Sequence, residues 1–161
     1  MTFLLVGGNP GDVEKARQQA QSQGMDNLVL TGFVPNSELP QYQAACDVLL
    51  MPYQQQVAAS SGGDIARYLS PMKLFEYMAC GRPIVSSDLP VLSETLNAEN
   101  AILLPPDDID AWVEALHNLR ANPARRAALG IQARQDAQGY SWTARARNIL
   151  QDMEMSEHFR N

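Results

Sequence analysis

Basic residues are in the minority: 12 Lys and Arg stand against 18 Asp and Glu, a formal net charge of −6. That balance argues against a general electrostatic attraction to nucleic acid or to an anionic membrane. An anionic ligand would have to be held by local groups, against the global field. Cysteine is scarce. Cys46 and Cys80 stand far apart in the chain, each in an apolar segment, and read as two reduced buried thiols rather than a disulfide framework. Histidine is limited to His117 and His158, and with two distant cysteines they make no metal-ligand spacing. No apolar run approaches the roughly 20 residues that a bilayer requires. No signal peptide precedes the first strand-like segment. A reducing, cytoplasmic setting is expected, with no metal and no cofactor; any membrane association would come from a longer parent protein. Several motifs are also missing: the dinucleotide fingerprint G-x-G-x-x-G, the Gly-Lys-Ser/Thr of a P-loop, and the G-x-S-x-G of a serine hydrolase.

What is present is an ordinary globular composition, 45% hydrophobic over 161 residues, enough for one domain spanning residues 1–161. Short apolar runs alternate with longer amphipathic ones. Thr2–Val6, Asn27–Leu30, Val48–Met51, Ile84–Ser86 and Ala101–Leu104 read as strands. Helices are predicted from Asp12 to about Gln23, from a cap at Asn36 or Ser37 to about Ala45, and over Pro71–Cys80 and Val91–Leu96. A further helix is capped by Asp107 or Asp108, with Ile109, Trp112, Val113, Leu116 and Leu119 as its apolar face. Two more follow, near Pro123–Gln138 and Ser141–Met155; the arginines at 125, 126, 134, 145 and 147 give them solvated basic faces. Strands alternating with helices predict βαβ units: an α/β, Rossmann-like three-layer sandwich around a mainly parallel sheet.

One connection is abnormally long. Tyr53–Ser70 is polar and Gly/Ser-rich, longer than the ~12–15 residues at which loops in compact domains become uncommon. It is expected to be the most mobile internal segment. It leaves the carboxyl end of a strand and delivers the chain to a helix start, the edge where open α/β sheets bind ligands. Ser70 suits the N-cap of that helix, Pro71 its first turn and Gly81 its stop. Met72, Phe75, Met78 and Ala79 are predicted to form its buried stripe, and Lys73, Glu76, Tyr77 and Cys80 share another face. Lys73 is the oddity, because a first-turn cation opposes the helix dipole by about 0.3–1 kcal/mol. Either it is solvated or paired with Glu76, or an anion bound at that N-terminus reverses the sign. Physics alone favours neither. Glu76, one turn further in, could accept hydrogen bonds from sugar hydroxyls. Gly7-Gly8-Asn9-Pro10-Gly11 is either a plain turn or a close approach of backbone, at Gly8, to a ligand. Gly32-Phe33-Val34-Pro35 ends the next strand, and places Phe33 either in the core or beside a ring system.

Taken together, Gly32-Phe33-Val34, the strand Val48–Met51 and the run SPMKLFEYMACGRPIVSSDLP resemble the C-terminal half of the group 1 retaining glycosyltransferases of GT-B fold. The resemblance runs from about Phe3 to Trp142. It implies a domain that binds a nucleotide-sugar donor, facing an N-terminal domain that holds the acceptor. Carried over by motif, Glu76 would bind the ribose hydroxyls as the second Glu of the family's Glu-x7-Glu pair. The Ser70–Lys73 helix start would face the diphosphate, and Leu74 is counted among the donor-binding residues. Phe33 and Val34 would lie by the nucleobase, Ser86, Ser87 and Asp88 in the loop near the donor, and Glu94 matches a Glu common after that loop. Tyr68 stands where the family has the pair's first Glu, which leaves the sugar contact open. The strand and helix that carry a phosphate-binding Arg and Lys in the family are not part of this sequence.

The resemblance therefore implies a nucleotide-diphosphate sugar as partner and a missing N-terminal domain that carries most of the acceptor site and the family's catalytic residues; it names no catalytic residue among these 161 positions. The chain alone is expected to be inactive. Trp142 and its apolar neighbours are expected to be exposed, or covered by a second copy in a homodimer, because the helix at Ser141 would in relatives reach toward the partner domain. The rival readings are a nucleotide-sugar epimerase of related fold, for which no acid/base residues stand out, and a non-catalytic flavodoxin- or receiver-like module. Against a receiver, the first strand ends in Gly-Gly-Asn rather than in an acidic cluster.

Overall fold

The computed structural model describes residues 1–54 and 72–158. Tyr68, Ser70 and nearly all of the long connection Tyr53–Ser70 lie outside the described residues. The chain divides into two compact units, residues 1–45 and residues 46 onward.

The first unit contains β1 (Phe3–Val6), α1 (Pro10–Ser22), β2 (Leu28–Gly32) and α2 (Leu39–Ala45). β1 and β2 pair in parallel from Phe3↔Leu28, with a register shift between Leu5 and Val6. α1 is the crossover of this βαβ unit. Asn9, in the place of a fingerprint glycine, is its N-cap: the side-chain oxygen accepts from the Asp12 N–H at 3.0 Å, and Pro10 fills the first turn. α2 starts later than predicted. Asn36 and Ser37 belong to a turn closed by Glu38 N–H on the Pro35 carbonyl, and the helix begins at Leu39. A capping-type side chain fits a turn as well as a helix start, and here the turn takes it.

The second unit contains β3 (Leu49–Met51), α3 (Met72–Cys80), β4 (Ile84–Ser87), α4 (Pro90–Ser93), β5 (Ala101–Leu104), α5 (Ile109–Ala121), α6 (Pro123–Ala137), a 3-10 turn (Gln138–Tyr140) and α7 (Trp142–His158). Its sheet is parallel, in the order β3-β4-β5. Successive strand residues point to opposite faces, so the sheet builds two cores. Met51, Ile84 and Ala101 pack with Leu74, Met78, Leu92 and Ala133 on one face. Val85 packs with Leu119 and Leu129 on the other, flanked by Trp112 and Leu116. Helices therefore cover both faces, the three-layer α/β arrangement expected from the alternation.

Two predicted stripes are displaced. In α5, Ala115 and Leu119 are buried and Trp112 and Leu116 half-buried, whereas Ile109 is 74% and Val113 49% exposed. At about 100° per residue, the buried face centres between Trp112, Ala115 and Leu119, and Ile109 and Val113 fall to one side. In α3 the buried pair is Leu74 and Met78; Met72 is 76% exposed and Ala79 is also outside.

α3 is held from behind by α6. Gly81 ends α3 in the left-handed region at φ 70°, and Gly130 of α6 lies against it. A Cβ on Gly130 would overlap the Gly81 carbonyl oxygen and stand 2.9 Å from its carbon. Only glycine permits that approach. Phe75 of α3 meets Tyr140 in a tilted ring contact, centroids 5.0 Å apart.

Candidate functional site

The second unit carries Lys73, Leu74, Glu76, Ser87 and Asp88 of the predicted site, and the first unit Gly8, Phe33 and Val34. β3 ends at Met51, Pro52 stops the ladder, and Tyr53 follows; α3 starts near this exit. Lys73 and Glu76 are exposed on α3, and no ion pair joins them among the described residues. The Lys73 ammonium instead lies over the Tyr53 ring, 5.4 Å from its centroid. That contact leaves ammonium protons free for a further anion. Leu74, predicted as a donor-binding residue, is 3% exposed and packs in the core.

Ser87 is fully buried, and its hydroxyl donates to the Tyr53 carbonyl at 2.7 Å. It ties β4 to the exit of β3 rather than lining an open surface. Ser86 is buried beside it and donates to the Ser87 carbonyl. Asp88 is exposed; its backbone N–H donates to the Leu104 carbonyl, and its carboxylate accepts from the Ser93 hydroxyl at 2.9 Å. Glu94 is exposed at the end of α4.

Burial pushes the Tyr53 phenol above its ordinary value. Tyr77, on the inner flank of the Lys73 face, is raised by burial first and then by Cys46, Tyr53 and Glu76. The Cys46 thiol is raised by burial, then by Cys80 and Asp47, against a lowering by Arg82. The two cysteines, distant in sequence, are therefore electrostatic neighbours. Both are half-buried and reduced, where full burial was expected.

In the first unit, Gly8 has φ 95° and a Cβ there would meet Val13 Cγ2 at 3.3 Å. The neighbouring Gly7 N–H donates to the Gly32 carbonyl at 2.9 Å, closing the loop onto the end of β2. Phe33 is 81% exposed and Val34 is buried. Phe33 is thus available to a ring system, and Val34 serves packing.

Tyr53 is the residue that sequence reasoning missed as a participant. Its signal was an aromatic side chain immediately after Pro52 at a strand's carboxyl end. Two concave surfaces lie elsewhere, one around Pro105 and Asp107–Asp110, the other between Glu94–Glu99 and Asp136–Tyr140. Neither includes Lys73 or Glu76. No group of three metal-ligating side chains occurs among the described residues, and none of the described helices is long and apolar enough to cross a membrane.

A family model described as glycosyl transferases group 1 matches residues 1–122. The chain belongs to the group 1 glycosyltransferases. One relative, the GDP-mannose-dependent alpha-(1-6)-phosphatidylinositol monomannoside mannosyltransferase of Mycolicibacterium smegmatis, is 29% identical over 92% of this chain and 38% of its own length. The D-inositol 3-phosphate glycosyltransferase of Kineococcus radiotolerans is 32% identical over 73% of this chain and 26% of its own. Among solved structures, Anabaena HepE in complex with UDP superposes with a TM-score of 0.77 at 20% identity, over 96% of this chain and 41% of that one. Sucrose-phosphate synthase from Thermosynechococcus elongatus gives 0.74 at 24% identity, over 96% and 38%. This group 1 chain thus spans about two fifths or less of the relatives it matches, and shares the Rossmann-like half of their GT-B fold.

Proposed function

We propose that this chain is the donor-binding portion of a glycosyltransferase that moves a sugar from a nucleotide sugar to an acceptor with retention. The observation that carries the reading is the start of α3, at the exit of β3. Lys73 and Glu76 are exposed there, unpaired with each other, on a helix whose opposite face is locked in the core. The first-turn N–H groups, the helix dipole and the Lys73 ammonium would together hold a diphosphate, and Glu76 would accept from ribose hydroxyls. In the intact enzyme the same fixed dipoles would stabilise charge growing on the leaving diphosphate. Support comes from the group 1 membership and from neighbours solved with UDP or UDP-glucose bound. The acceptor, and the groups that act on it, belong in this reading to a further domain.

Calorimetric titration with UDP, GDP and their sugars tests the reading. Glu76→Gln is expected to weaken binding by about 1–3 kcal/mol, the worth of a charged hydrogen bond. Unchanged affinity in both Glu76→Gln and Lys73→Ala would sink the assignment.

A further inference from the structure

We propose that Tyr53 is a positioning residue for the diphosphate: its ring holds the Lys73 ammonium at the start of α3, and the buried Ser87 hydroxyl holds Tyr53. The inference rests on the donor-binding reading above. Three observations on separate elements converge. The Lys73 ammonium lies 5.4 Å from the Tyr53 ring centroid, within the range of a cation–π contact. The Tyr53 carbonyl accepts a 2.7 Å hydrogen bond from Ser87, which is 0% exposed and so cannot trade that partner for water. The Tyr53 ring also packs against the core cluster that anchors Leu74 and Met78 of α3.

A lysine on an exposed first turn would otherwise sample many rotamers, and binding would have to freeze them. The ring removes part of that freedom beforehand while leaving the ammonium protons for phosphate oxygens. Burial raises the phenol above its ordinary value, so the ring faces the cation in its neutral form at physiological pH. Tyr53 touches no phosphate itself. Its effect should therefore appear with ligands that carry a diphosphate and vanish with ligands that do not.

The test titrates the full chain with UDP and GDP, and with uridine and guanosine as phosphate-free probes. Tyr53→Leu is expected to lower diphosphate affinity about three- to tenfold and to leave nucleoside affinity unchanged. Tyr53→Phe, which keeps the ring, should bind like the parent. In a Lys73→Ala background, Tyr53→Leu should add no further loss, as expected when one residue acts through the other. Should Tyr53→Leu melt early, Tyr53→Met, whose unbranched side chain adapts to an irregular gap, decides the same comparison. Equal loss for nucleoside and diphosphate, or additive losses in the double variant, would overturn the inference by showing a merely structural role. Loss on Lys73→Ala with none on Tyr53→Leu would overturn it while leaving the donor reading standing. Failure of the parent chain to bind either diphosphate would overturn both.

Discussion

Gly130→Ala adds one methyl group where α6 lies against the turn that ends α3. The new Cβ would overlap the Gly81 carbonyl oxygen, stand 2.9 Å from the carbonyl carbon and 3.3 Å from Arg82 Cα. All three neighbours are backbone, so no side chain can swing away, and either α3 or α6 must move. Overpacking of this kind costs about 1–3 kcal/mol, and the absence of any soft neighbour puts the cost at the upper end. Alanine's better helix propensity returns up to about 1 kcal/mol. The net expectation is a loss of about 2 kcal/mol, or roughly 4–8 °C in Tm for a chain of this size. Thermal and urea unfolding monitored by circular dichroism measure it directly. Gly139→Ala is the control, because a Cβ there meets nothing within 4 Å; it should melt with the parent. A Gly130→Ala protein that melts within about 1 °C of the parent, or above it, would refute the close approach and with it the anchoring of α3 by α6.

Three other outcomes are expected. Asn100 is fully buried; its amide donates to the Thr95 carbonyl and at 2.8 Å to Asp136, and its oxygen accepts from the Asn97 N–H. Asn100→Ala should cost about 1–3 kcal/mol in urea unfolding, since three hydrogen bonds of a buried amide are lost at partners only partly open to water. Stability should fall at alkaline pH. Cys46, Tyr53 and Tyr77 are all raised in the folded chain from ordinary values of 9.0, 10.0 and 10.0, so the unfolded chain loses these protons first. Their contribution is complete below pH 9 and is lost as pH rises past those values; a urea midpoint that stays level from pH 8 to 11 would contradict this. Finally, the chain alone should transfer no sugar from labelled nucleotide sugars, because acceptor and donor must be held together for a gain of up to ~7–11 kcal/mol. Turnover would place the acceptor site within these residues.

Strand positions were legible because parallel strands covered on both faces are short continuous apolar runs. Ala101–Leu104 was read to the residue, and Asp108 caps α5 as one of two expected aspartates, accepting from the Ala111 N–H. Helix faces were less legible. Periodicity in α5 admitted Ile109 and Val113 as well as Leu116 and Leu119, and the buried small residue Ala115 carries little hydrophobic signal. The same ambiguity put Met72 inside and left Leu74 out of the α3 stripe. Lys73 and Glu76 were readable as candidates from type and spacing, and the structure leaves both exposed on α3. The role of Ser87 was not: its partner is a carbonyl 34 positions earlier, a pairing set by the β3–β4 register rather than by any local pattern. Tyr53 escaped for the same reason, since its ring meets a lysine 20 positions on.

The two units differ in how much apolar surface they hide. Among the described residues of the first unit, Ala20 and Val34 are the buried hydrophobics, and α1 is polar along most of its length; the second unit carries the two clusters built on Met51, Ile84 and Val85. Local opening free energy follows buried apolar contact. Amide protons of β1 and β2 should then exchange through openings that leave β3, β4 and α3 closed, and the first unit should be the last to gain protection during refolding. Phe33 therefore sits on the unit expected to open at the lower cost, and Lys73 and Glu76 on the unit expected to open at the higher one.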